Sequence, residues 1–183
     1  MGTILKNFNS EWENKTSVKK GNIGEEIIKK LLESHGFVCY QPVTENAHAF
    51  DMLAIKNKET MMIAEVKTKS LMLKYAATGF PYRNFSEYEN IYKKYKIPIF
   101  VFFVDEGNGE IYGNWLMERL EKPVEVNGKI FPCTEIFTDK KTGKSRPPIR
   151  LYHYSQMKVM GKLTEEQINE IKQYARRNYK YRE

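Results

Sequence analysis

The stretch FDMLAIKNKETMMIAEVKTK, residues 50 to 69, constrains this chain more than any other. Two apolar runs, 49 to 55 and 61 to 68, flank the polar turn KNKE, which is the pattern of a β-hairpin. Three charges interrupt these runs: Asp51, Glu65 and Lys67. With the turn centred on Lys58, Ile55 faces Met61, Leu53 faces Ile63 and Asp51 faces Glu65. A two-residue turn would shift the pairing by one and send Asp51 to the other face. Opposed carboxylates repel each other unless something positive lies between them. A divalent cation, which takes hard oxygen ligands, meets that need, and Lys67 falls on the same face by strand alternation. The same residues also fit a solvated charge cluster on a surface hairpin. The apolar character of MLAI and MMIAEV stands against this, because charges within buried strands are paired or metal-bound.

The remaining periodicities predict an α/β fold around a mixed sheet. Residues 21 to 37, GNIGEEIIKKLLESHGF, read as a helix with Ile27, Ile28, Leu31 and Leu32 as its apolar stripe and Gly36 at its end. A first strand follows at 37 to 41. After the hairpin, SEYENIYKKYK reads as a second helix capped by Ser86, and IPIFVFFVDE as a strand covered on both faces. GNGEIYGNWL supplies a turn and a fifth strand, TDKKTGKSRPP a basic loop, and a closing helix opens with Thr164 and Gln167 in a capping box. The 183 residues suffice for one domain. The expected organisation is an N-terminal arm over 1–20, tacked down by Phe8 and Trp12, a core over 21–120, and an extension over 121–183 packed on the same domain. Thirty Lys and Arg against 23 Asp and Glu give +7, which favours a polyanionic partner. Cys39 and Cys133 form no metal or disulfide pattern, and no apolar run is long enough for a signal or a span, so a soluble cytoplasmic protein with no membrane partner is expected.

The FD of Phe50 and Asp51, followed after a gap by Glu65-Val66-Lys67, resembles the PD-(D/E)xK nuclease superfamily, with Phe50 where that motif often has proline. The upstream GNIGEE resembles the start of that superfamily's first helix. The likeness covers about residues 21 to 105 and implies a restriction-endonuclease-like α-β-β-β-α-β core. It implies Mg²⁺ as cofactor, with Mn²⁺ able to substitute, bound by Asp51, Glu65 and the Val66 carbonyl. Lys67 would orient or deprotonate the attacking water, and Glu25 would reach the metal or its water. From spacing alone Glu25 equally fits a helix cap with Asn22.

FPYRNF, ahead of the second helix, resembles the equivalent region of Holliday junction resolvases of the RecU type, without their long projecting insertion. Arg83 and Asn84 are the candidate nucleic-acid contacts there, together with Lys69. Phe85, Tyr88 and Tyr92 fit either base stacking or the core face of the helix. Lys144 and Arg146 are candidate phosphate contacts, as are Lys140, Lys141, Arg150 and the tail residues Arg176, Arg177, Lys180 and Arg182, although exposed basic runs also occur as plain solvated faces. Of His35, His48 and His153, only His48 lies near the motif. The resemblance implies a deoxyribonuclease acting on duplex or branched DNA, as a homodimer, and leaving a 5′-phosphate. The reading from another class is a phage or mobile-element factor that binds nucleic acid or protein on the same fold without cutting.

Overall fold

The computed structural model describes residues 16–42, 50–57, 60–72, 75–139 and 142–174. Helix α1 (Thr16–Ser34) leads into β1 (Val38–Tyr40), β2 (Met52–Lys56), β3 (Thr60–Thr68) and β4 (Ala77–Pro81). Helix α2 (Tyr82–Tyr95) then crosses to β5 (Ile99–Asp105) and β6 (Glu110–Trp115). A π-helical turn (Leu116–Leu120) is followed by β7 (Val124–Val126), β8 (Lys129–Phe131), β9 (Cys133–Glu135), β10 (Ile149–His153), β11 (Lys158–Lys162) and α3 (Glu165–Gln173).

The main sheet has the order β1-β2-β3-β5-β6-β11. Its β3–β5 pair is parallel and its other pairs are antiparallel, so the sheet is mixed. The hairpin register is the one the sequence predicts: Ile55 pairs with Met61, Leu53 with Ile63 and Met52 with Ala64. Lys58, at the predicted turn centre, lies outside the described residues, as do Phe8, Trp12, His48, Lys140, Lys141, Arg176, Arg177, Lys180 and Arg182.

Strand β5 is buried at every residue, and alternation divides its side chains between two cores. Phe100, Phe102 and Val104 meet Ile27, Ile28 and Leu32 of α1, with Met62, Ala64 and Val66 of β3. Ile99, Val101 and Phe103 turn the other way, to Phe85 and Tyr88 of α2. Glu65 and Lys67 alternate with Ala64 and Val66, so they take the α2 face of the sheet. Each fully buried Ile or Phe contributes about 1.5 to 3 kcal/mol, so this two-sided packing fixes β3 firmly between its neighbours.

A second sheet, β4-β10-β9, packs over the α2 side. Phe80 of β4 joins it to the main sheet through ring contacts with Tyr88, Phe103 and Tyr152 at 5.6, 6.5 and 5.6 Å. Gly79 permits the close approach of β4 and β10, since a Cβ there would stand 1.8 Å from the Arg150 carbonyl oxygen.

Three boundaries differ from the sequence reading. Helix α1 begins at Thr16, so Asn22 lies inside it and is no cap. Helix α2 begins after Pro81, and Ser86 is an interior residue whose hydroxyl donates to the Tyr82 carbonyl at 3.3 Å. The segment beyond residue 120 supplies five short strands as well as the loop and helix, and β11 extends the main sheet. The Thr164–Gln167 capping box opens α3 as read.

Candidate active site

Strand β3 runs past the start of β2, so backbone groups beyond Ala64 on that edge have no strand to pair with. Asp51, one residue ahead of β2, fills this gap: its Oδ2 accepts the Val66 N–H at 2.7 Å. The register continued by one pair sets Asp51 opposite Glu65. Glu65 is 2 % exposed, and its Oε1 accepts a hydrogen bond from the Lys67 ammonium. Its Oε2 is buried and has no well-formed hydrogen bond among the described residues.

Helix α1 comes to the same end of β3 from the other face. Gly24 is the reason it can: a Cβ at that position would stand 1.9 Å from the Thr68 hydroxyl. Glu25, the next residue, is thereby brought within electrostatic reach of Asp51, Glu65 and Lys67. A cleft of about 360 Å³ opens between Glu25 and Asp51, lined also by Asn22, Glu26, Gln41 and Pro42.

The electrostatics follow from this crowding. Burial raises Glu25 from 4.5 to about 7, helped by Asp51 and Glu65 and opposed by Lys67. Burial also raises Glu65 to about 7, against the pull of Lys67. Burial alone would lower Lys67, but Glu65, Asp51 and Glu25 outweigh it and hold the ammonium protonated. Three carboxylates thus share one lysine, an arrangement that ionises fully only with further positive charge.

The donors fit a hard divalent cation, being carboxylate oxygens gathered around the buried Glu65. Among the described residues, no three His, Cys, Asp or Glu side chains stand close enough to ligate one ion in this arrangement, where Lys67 is the positive partner of Glu65.

Tyr88, which the sequence left between base stacking and the core face of α2, is a core residue that also reaches the carboxylates. It is 2 % exposed, and its hydroxyl lies against Glu65, which raises the phenol far above its ordinary range once burial has acted. Asn84 donates to the same hydroxyl at 3.5 Å. The helical spacing of 84 and 88 was the available signal, since residues four apart share a face.

The other candidates scatter. Lys69 points its ammonium at the Gly79 carbonyl and is lowered to about 8 by burial, then by Lys67 and Lys20. Arg83 is exposed on the first turn of α2. Lys144 and Arg146 are exposed on the 138–145 loop and just after it, and Arg146 pairs with Asp139 at 3.5 Å. Arg150, read as a phosphate contact, is instead clamped to Glu121, which also accepts from the Tyr152 hydroxyl at 2.8 Å. His35 caps its own helix, and His153 belongs to a separate cleft.

No protein-family model and no curated protein matches the sequence. Among solved structures, the fold is similar to that of Archaeoglobus fulgidus Hjc, a Holliday junction resolvase from an archaeal hyperthermophile. The match covers 74 % of this chain and 95 % of that one, at 9 % identity and a TM-score of 0.46. A likeness at that level carries no argument about this chain's fold or activity. The α-β-β-β-α-β order from α1 to β5, with β4 inserted before α2 and a parallel β3–β5 pair at the centre, is the core that the sequence predicts, a mixed central sheet flanked by helices.

Proposed function

We propose that this chain is a metal-dependent endonuclease that hydrolyses DNA phosphodiester bonds, with branched DNA of the kind formed in recombination as its substrate class. The observation that carries the proposal is the meeting of Glu25, Asp51, Glu65 and Lys67 at one end of β3, where Glu65 is buried.

In this reading Asp51, Glu65 and the Val66 carbonyl hold Mg²⁺, for which Mn²⁺ can substitute. When bound, the ion supplies water activation and neutralises charge on the phosphate. Lys67 stays protonated beside Glu65, so its part is to orient the water and oppose the negative charge of the phosphorane, rather than to act as base. Glu25, held near neutrality, suits the task of taking the proton that the attacking water gives up. The P–O bond opposite the water breaks and its oxygen leaves with a proton from solvent. Lys69, Arg83, Asn84, Lys144 and Arg146 are the candidates for guiding the nucleic acid. Paired cuts on two strands need two sites, so the proposal includes a homodimer.

The test is cleavage of labelled branched, duplex and single-stranded DNA with Mg²⁺ or Mn²⁺, comparing the natural chain with Asp51→Asn and Lys67→Ala. The proposal expects metal-dependent cutting, fastest on branched DNA, that falls by at least about 100-fold in both variants. Tight DNA binding without cutting under every condition would replace it with the reading of a recognition factor on a nuclease fold.

A further inference from the structure

A second cleft, of about 490 Å³, lies away from the carboxylates, between the β7–β8 hairpin and the end of β10. Its walls are aromatic. Phe131 and His153 lie 5.4 Å apart, and His153 and Tyr154 4.7 Å apart. Lys129 stands 4.0 Å over the Tyr75 ring and pairs with Glu135, so the ring presented to solvent is Tyr154, at 48 % exposure. Asn127 and Gly128 both have positive φ, 51° and 75°, which makes the hairpin turn tight and sets Asn127 at the edge of the cleft. Its side-chain amide carries both donors and an acceptor.

His153 adds a directed donor. It is 6 % exposed, and its Nδ1 meets both the Ser155 hydroxyl at 2.8 Å and the Ser155 N–H at 3.2 Å; the N–H can only donate, so Nδ1 is the acceptor and the proton of a neutral ring is assigned to Nε2. Burial lowers its pKa and keeps the ring neutral.

A flat exposed ring, a side-chain amide and a fixed N–H donor around a cleft of this size are the means by which proteins hold an unstacked base. We infer that this cleft takes one unpaired nucleobase of a bound strand, stacked on Tyr154 and read at its edge by Asn127 and His153. The inference rests on the proposed nuclease function for the identity of the polymer. Strand β4 joins the two sites: Lys69 meets it at Gly79 and the cleft borders it at Ala76, about 10 Å of extended chain away. The inference expects a single strand held at the carboxylates to reach the cleft within a few nucleotides. A paired base is held in its stack, so the cleft selects for branch points, ends and loops.

The test uses the full-length protein without metal, so that no strand is cut. Its affinity is measured by fluorescence anisotropy for a ten-nucleotide single strand and for an abasic strand of the same length and charge. The natural chain should bind the base-bearing strand about tenfold tighter. Tyr154→Ala, at an exposed position that folding tolerates, should bring that ratio to about one. Tyr154→Phe should restore it. A ratio near one in the natural chain, or one that survives Tyr154→Ala, overturns the inference. A base-dependent ratio in a chain that cuts nothing would sink the nuclease reading and leave the cleft standing; cutting without base preference would do the reverse.

Discussion

Glu65 has only 2 % of its surface exposed on a strand whose neighbours Ala64 and Val66 belong to the core, so its charge has to be answered locally. Lys67 answers part of it. Glu25 and Glu65 both move from 4.5 to about 7 in the metal-free fold. Between those values the folded chain holds protons that the unfolded chain has released, and stability then falls as pH rises. The melting temperature of the metal-free protein, followed by circular dichroism, is therefore expected to drop from about pH 5 to pH 7 and level off above. The double variant Glu25→Gln with Glu65→Gln should flatten that slope; a slope equal to that of the natural chain would show that these carboxyls are not the ones strained by burial. At this scale the sequence was informative where the geometry was local. Alternation placed Glu65 and Lys67 on one face, and the hairpin pattern placed Asp51 across from Glu65. Tyr88 escaped because its contact with Glu65 depends on how α2 is laid over the sheet, which no local period encodes.

Helix α1 matters to the site through a single missing atom. With Gly24 it sits against Thr68 and carries Glu25 to the end of β3. Gly24→Ala brings a methyl group to 1.9 Å from the Thr68 hydroxyl, so helix or strand must shift. The expected cost is about 1 to 3 kcal/mol in denaturant unfolding, and Thr68→Ala in the same chain should recover part of it. Full additivity of the two substitutions would contradict the contact. Element boundaries were less legible than element types. Pro81 fixes φ at −53° just before α2, a stronger start signal than an interior Ser86. Gly21 lowers helix propensity by about 1 kcal/mol without stopping a helix that packing supports, so α1 extends back to Thr16. The three-residue strands β7, β8 and β9 carry too few residues for alternation to register.

At the scale of the whole molecule, two cores back one central strand, and the second sheet closes over the α2 side through Phe80, Tyr88 and Tyr152. Glu121, Arg150 and Tyr152 lock that sheet to the π-helical turn in a partly buried ionic network, which explains why one basic residue of the +7 chain is withheld from any polyanion. The central strands of the main sheet were legible because β3 is long and β5 is apolar from Ile99 to Val104. The second sheet was not, because it is built from residues 77 to 81, 133 to 135 and 149 to 153, brought together only by folding. Among the described residues no helix is long and apolar enough to cross a membrane. The fold brings Asp51 and Glu65 from neighbouring strands, and Glu25 from the opposite face, to one end of β3, where the proposed function has them hold a cation. Calorimetric titration of the full chain with Mn²⁺ at neutral pH measures that binding. The account predicts saturable binding at each chain's carboxylate cluster, weakened by about tenfold or more in Glu65→Gln and in Asp51→Asn; a chain that binds no Mn²⁺, or binds it equally well in both variants, would contradict it.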